Sequence, residues 1–149
     1  SDLGQQITAL TGEQLSEALT GASLLVTNDY ELELIKKHTG LSHEQILERT
    51  GGLITTLGEE GARVTELDRT FTIDAVKVKT ALDPTGAGDA FRAGLMKGLK
   101  EKRSLEESCR MGATCASFSV EKQGTQEHSF TMDEFWSRFR ATYGEPSST

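Results

Sequence analysis

Cysteine is scarce in this chain: only Cys109 and Cys115 occur among 149 residues. Both fall on one predicted helix, at a spacing that does not bring them face to face, which argues against a mutual disulfide. They read as small buried residues of a reducing, cytoplasmic protein. There is no Cys-x-x-Cys and no cluster of histidines, which argues against a zinc-type centre. No apolar run approaches the ~20 residues that a membrane-spanning helix needs, and no secretory signal is expected ahead of the first element. Positive charge is in deficit: 16 Lys and Arg against 23 Asp and Glu leave a net charge of -7. That balance argues against a nucleic-acid-binding face, and the acidity serves ordinary solubility. Two phosphate-binding fingerprints are also missing. No Gly-Lys-Ser/Thr loop occurs, and Phe91 stands where the third glycine of a dinucleotide Gly-x-Gly-x-x-Gly pattern would be. A dehydrogenase-like domain is therefore a weak alternative.

What is present is the pattern of one globular α/β domain over 1–149, with 36% hydrophobic and 26% charged residues. Short apolar runs at 23–27 and 53–57 read as buried strands. A glycine turn at 58–61 leads into a further strand at 62–67, and the alternation over 71–78 reads as one or two half-buried strands. Helix starts are marked by Thr11-x-x-Gln14, Asn28-x-x-Glu31, Ser42-x-x-Gln45, Ser104-x-x-Glu107 and Thr131-x-x-Glu134, each a capping box. Strands alternating with helices predict a mainly parallel sheet with flanking helices. Ligands of such sheets bind beyond the carboxyl ends of the strands. The turns at 28–31, 56–61 and 83–89 are each expected to follow a strand, so they are candidates for one shared ligand.

The third turn is the most informative. Asp83-Pro84-Thr85-Gly86-Ala87-Gly88-Asp89-Ala90-Phe91 feeds into a helix running to about Lys100. Its glycines allow positive φ and close backbone approach. The first amides of a helix have no internal partners and sit at the positive end of its dipole, which suits an anion. Asp89 falls in the first turn, beside that anion. Spacing alone leaves open whether this is an anion site or simply a well-formed helix start. Likewise, the small residues Cys109, Gly112, Ala113, Ala116 and Ser117 on the next helix either allow close helix packing or leave room for a flat ligand.

Asp83 to Gly94, DPTGAGDAFRAG, resembles the C-terminal signature of the PfkB (ribokinase-like) family of sugar and nucleoside kinases, D-T-T-G-A-G-D-x-F-x-x-G. Pro84 and the loop Gly124-Thr125-Gln126-Glu127-His128 resemble adenosine-kinase-like members. Asn28-x-x-Glu31 is similar to the family's N-x-x-E motif, and Thr56, Gly58 and Gly61 match its T-L-G-x-x-G nucleotide turn. The resemblance implies ATP-dependent phosphoryl transfer to a hydroxyl of a sugar or nucleoside. It implies Asp89 as the base, with Gly86, Ala87 and Gly88 as the anion hole. It further implies Asn28 and Glu31 placing Mg²⁺ through water, and Thr56, Gly58, Gly61, Ala113 and Gly124 around the nucleotide. A monovalent cation, K⁺, at Asp83 is a further family trait. Ala113 departs from the polar residue that some sugar kinases carry there.

The chain begins at Ser1, not Met, and Asp2-Leu3-Gly4-Gln5-Gln6 resembles a turn from the middle of the family's chain. A processed chain or fragment is therefore expected. In that family the acceptor pocket and lid come mainly from the N-terminal half, so the chain alone is expected to be inactive. A non-catalytic ATP-binding fragment is the alternative. An exposed sheet edge would also favour a homodimer.

Overall fold

The computed structural model describes residues 12, 14, 24–78, 86–121 and 130–146. In order, its elements are β1 (Leu25–Asn28), α1 (Asp29–Thr39), α2 (His43–Thr50), β2 (Gly52–Thr56), a 3-10 turn (Gly58–Glu60), β3 (Ala62–Glu66), β4 (Thr70–Ile73), α3 (Ala87–Lys100), α4 (Leu105–Glu121) and α5 (Met132–Tyr143). The predicted turn at 2–6 lies outside the described residues, as does most of the helix predicted from Thr11. No described helix is long and apolar enough to cross a membrane. The chain divides into two compact units, one of residues 1–57 with 62–72 and one of 58–61 with 73–149.

The first unit is α/β. The sheet runs in the order β1-β2-β3-β4. β1 and β2 are parallel, from Leu25↔Leu53 to Asn28↔Thr56. β2 and β3 are antiparallel, from Gly52↔Glu66 to Thr56↔Ala62. The described sheet is thus mixed, because the short turn at 58–61 can only return the chain antiparallel, whereas β1 reaches β2 through two helices. Those helices start where the sequence marks them. The Asn28 N–H donates to Glu31 Oε1 at 3.0 Å, and the Glu31 N–H donates to Asn28 Oδ1 at 2.7 Å. Ser42 and Gln45 make the same reciprocal pair at 2.9 and 3.2 Å. Each box satisfies helix amides that otherwise lack partners. The apolar faces bury Leu32 and Ile35 of α1 and Ile46 and Leu47 of α2 in one cluster with Leu53 of β2.

The second unit is built on α3 and α4, which meet backbone to backbone. A Cβ on Gly94 would lie 2.6 Å from the Met111 carbonyl oxygen, and one on Gly98 would lie 2.5 Å from Ser108 Oγ. Across the same seam, a Cβ on Gly112 would lie 2.7 Å from the Phe91 carbonyl oxygen. Close helix packing therefore accounts for Gly112 in this stretch. α5 adds Phe135 and Phe139 to a core with Met111 and Phe118. Rings continue from Phe118 through Phe130, Phe135 and Trp136 to Phe139 and Tyr143, with centroids 4.3–5.9 Å apart.

Two local expectations change. The strand predicted over 71–78 ends at Ile73, and 74–78 make no ladder. The buried apolar residues there, Ile73 and Val76, are three apart, so the period of two is broken. The Tyr143 hydroxyl instead donates to the Asp74 carbonyl at 2.5 Å. At Ser104-x-x-Glu107 only half of the box forms. The Glu107 N–H donates to Ser104 Oγ at 3.1 Å, but the buried Glu107 carboxylate takes Arg103 Nη1 at 2.6 Å. A buried carboxylate is better served by a guanidinium than by a lone amide.

Candidate functional site

In the first unit the candidate groups stand together at the carboxyl ends of the parallel pair. Asn28 ends β1 and caps α1, while Thr56 ends β2 in register with it. Thr56 Oγ1 donates to the Thr27 carbonyl at 3.4 Å, across the two strands. Thr27 itself is buried, and its hydroxyl has no hydrogen-bond partner among the described residues. The capping reading of Asn28 and Glu31 is fully realised: Asn28 Oδ1 and Glu31 Oε1 each hold a backbone amide. This fixes the Glu31 carboxylate at the positive end of α1, where a negative charge is favoured. Among the described residues no three His, Cys, Asp or Glu side chains cluster as a metal cage.

In the second unit Gly58 and Gly61 both take positive φ, 61° and 92°. Their reasons differ. A Cβ on Gly61 would run into the Ile73 carbonyl oxygen, so glycine is required there by the chain crossing it. A Cβ on Gly58 would meet nothing within 4 Å among the described residues, which leaves this backbone open on that side.

Gly86 is the N-cap of α3 with φ 86°, in the left-handed region, and makes no side-chain cap bond. The other described helices all receive a side-chain oxygen at their N-termini. Among the described residues no side chain caps the first amides of α3, which suits them to a ligand or water. Asp89 lies in the first turn, its side chain 82% exposed, with one carboxylate oxygen 3.3 Å from Arg92 Nη1. The Arg92 contact was not anticipated from the sequence; the available signal was an arginine three residues after a first-turn aspartate, a helical ion-pair spacing. Ala113 is buried on α4. Asp83 and Gly124 lie outside the described residues, as do Pro84 and Thr85. The turn at 86–89 does not directly follow a described strand, since 74–78 make none.

Neither cysteine suits nucleophilic chemistry. Cys109 is buried, and burial raises the Cys115 thiol from 9.0 to about 11, with Lys97 opposing the rise. Burial also pushes the Tyr143 hydroxyl up.

Comparison with known proteins agrees with these features. Residues 2–132 match the pfkB family carbohydrate kinases. The chain is 33% identical over 133 residues to a nucleoside kinase of Methanocaldococcus jannaschii, covering 89% of this chain and 44% of that protein. It is 32% identical over 111 residues to a ribokinase of Lactococcus lactis, covering 74% of this chain and 36% of that one. The structure of a Burkholderia thailandensis nucleoside kinase in complex with inosine superposes with a TM-score of 0.91 at 33% identity, covering 97% of this chain and 48% of that one. The same kinase in complex with ADP-inosine gives 0.90, covering 95% and 44%. The chain spans less than half the length of these relatives.

Proposed function

The chain belongs to the PfkB family of carbohydrate kinases, and from that premise we propose that its residues serve ATP-dependent phosphoryl transfer to a hydroxyl of a nucleoside. The observation that carries this is the start of α3, where a left-handed Gly86 leaves the helix amides without a side-chain cap directly beside the exposed Asp89. Nucleosides are favoured over sugars because Pro84 and the loop at 124–128 resemble adenosine-kinase-like members, and because several relatives are named nucleoside kinases.

Phosphoryl transfer needs positioning and charge neutralisation more than covalent chemistry. Asp89 accepts the proton of the attacking hydroxyl. The amides of Gly86, Ala87 and Gly88 meet the charge that develops on the transferring group. Thr56, Gly58 and Gly61 hold the nucleotide, where open backbone at Gly58 admits close approach. The donor set fits Mg²⁺ held mainly by phosphate and water: Glu31 offers one carboxylate, at a position fixed by Asn28, and no carboxylate cage surrounds it among the described residues. Bound there, the ion would offset phosphate charge. By the family resemblance Ala113 and Gly124 are assigned to the nucleotide pocket and Asp83 to a monovalent-cation site.

The chain's span of under half of its relatives favours a division of labour. These residues supply the phosphate and nucleotide end, and the acceptor end comes from the part of the family fold that the chain does not span. The same observation supports a second reading, a non-catalytic ATP-binding module. A screen of ATP-dependent phosphorylation over nucleosides and sugars separates the two. Transfer that appears only when the acceptor-binding half of a related kinase is added supports the first. ATP binding with no transfer in either form supports the second. Turnover by the 149 residues alone refutes the division of labour, and NADH binding without ATP binding refutes both.

A further inference from the structure

Arg92 is tied to the start of α3 by two observations. Its Nη1 lies 3.3 Å from Asp89 Oδ1, and also 3.4 Å from the point that a Cβ on Gly88 would occupy. The guanidinium therefore folds back along the helix, over the first turn, into space that the missing Gly88 side chain leaves open. Its pairing with Asp89 is easily exchanged: the carboxylate is 82% exposed and the contact is long for a charge-assisted bond. A phosphate offers more charge and a better match to a planar guanidinium than one solvated carboxylate does.

We propose that Arg92 is a positioning residue that switches partner on nucleotide binding. Without nucleotide it holds the Asp89 carboxylate. With ATP it turns to the terminal phosphate, and Asp89 is released to take a substrate proton. The inference rests on the phosphoryl-transfer reading given above and deepens it. The base is engaged with its own helix until the phosphoryl donor has arrived, and the same arginine adds affinity for the third phosphate. Atoms and charge balance without any new reactant, since the step exchanges one ion pair for another.

The test is titration calorimetry of Mg-ATP and Mg-ADP against the 149-residue chain and its Arg92→Gln, Arg92→Lys, Asp89→Asn and doubly substituted forms. Arg92→Gln is expected to weaken ATP roughly tenfold, the worth of one charge-assisted hydrogen bond, while ADP changes by less than about threefold. Arg92→Lys should restore part of the loss. Asp89→Asn should bind ATP at least as tightly as the wild type, through release of Arg92, and that gain should vanish in the double variant. A merely structural role would weaken ATP and ADP alike, so equal losses overturn the inference. So does wild-type ATP affinity in Arg92→Gln. In both cases the kinase reading stands, because nucleotide still binds. Absence of nucleotide binding by the wild-type chain overturns that reading, and this inference with it.

Discussion

Asn28 and Thr56 are register partners at the carboxyl ends of two adjacent parallel strands, and Asn28 also caps the helix that leaves the first of them. One side chain thus has a structural role that any functional test must separate. Asn28→Ala removes the cap and is expected to cost about 1 kcal/mol in urea unfolding. Asn28→Asp keeps an oxygen in the same place and should leave stability near wild type, yet weaken Mg-ATP binding by bringing a second negative charge beside Glu31. Equal loss of stability in both variants would show that the capping geometry is not what holds α1.

Gly94 closes the family signature, and its place in the structure is explained by packing. Alanine there would gain about 1 kcal/mol of helix propensity. Its Cβ would also stand 2.6 Å from the Met111 carbonyl and 2.8 Å from Gly112 Cα, both backbone atoms that cannot step aside. Overpacking of this kind costs about 1–3 kcal/mol or more and wins. Gly94→Ala is therefore expected to lower the Tm clearly. An unchanged or raised Tm would mean that α3 and α4 are not in backbone contact.

Ser108 shows the opposite case. Its hydroxyl is buried against Gly98 and has no hydrogen-bond partner among the described residues. An unsatisfied buried hydroxyl is a penalty on the order of 1 kcal/mol, and alanine is the better helix former. Ser108→Ala should raise the midpoint of denaturant unfolding, and a lower midpoint would reveal a partner for that hydroxyl.

Alkaline pH should weaken the fold in a defined window. Burial raises Cys115 from 9.0 to about 11. The unfolded chain therefore loses this proton first, and the stability that the neutral thiol contributes is complete below pH 9 and lost as pH rises through 11. Tyr143, also raised by burial, pushes in the same direction at higher pH. Unfolding midpoints should fall from pH 9 to 11, and less steeply in Cys115→Ala. An identical slope in that variant would exclude Cys115 as a cause.

Much of the fold was legible because its signals are local. Asn28 with Glu31, Ser42 with Gln45 and Thr131 with Glu134 form their boxes within four residues of chain, and tertiary context does not alter them. Expectations fail where a distant group competes. The Glu107 carboxylate takes Arg103 while its N–H keeps the Ser104 cap. Asp74 gives its carbonyl to Tyr143, sixty-nine residues on, instead of extending a strand. Gly61 carries a demand that its local sequence does not show, since the carbonyl of Ile73 requires glycine there whether or not a ligand approaches. Arg92 lies beyond the glycine-rich turn in sequence, yet its long side chain, one helical turn later, reaches back over it.

The central claim, that Asp89 is the base of an ATP-dependent phosphoryl transfer, is tested most directly by comparing turnover with binding in one variant. The chain would be joined to the acceptor-binding half of a related nucleoside kinase and assayed with Mg-ATP and inosine, as wild type and as Asp89→Asn. The account predicts that kcat falls by roughly a hundredfold or more, the contribution of a positioned base, while ATP binds no more weakly. A kcat near that of the wild type in Asp89→Asn would contradict it.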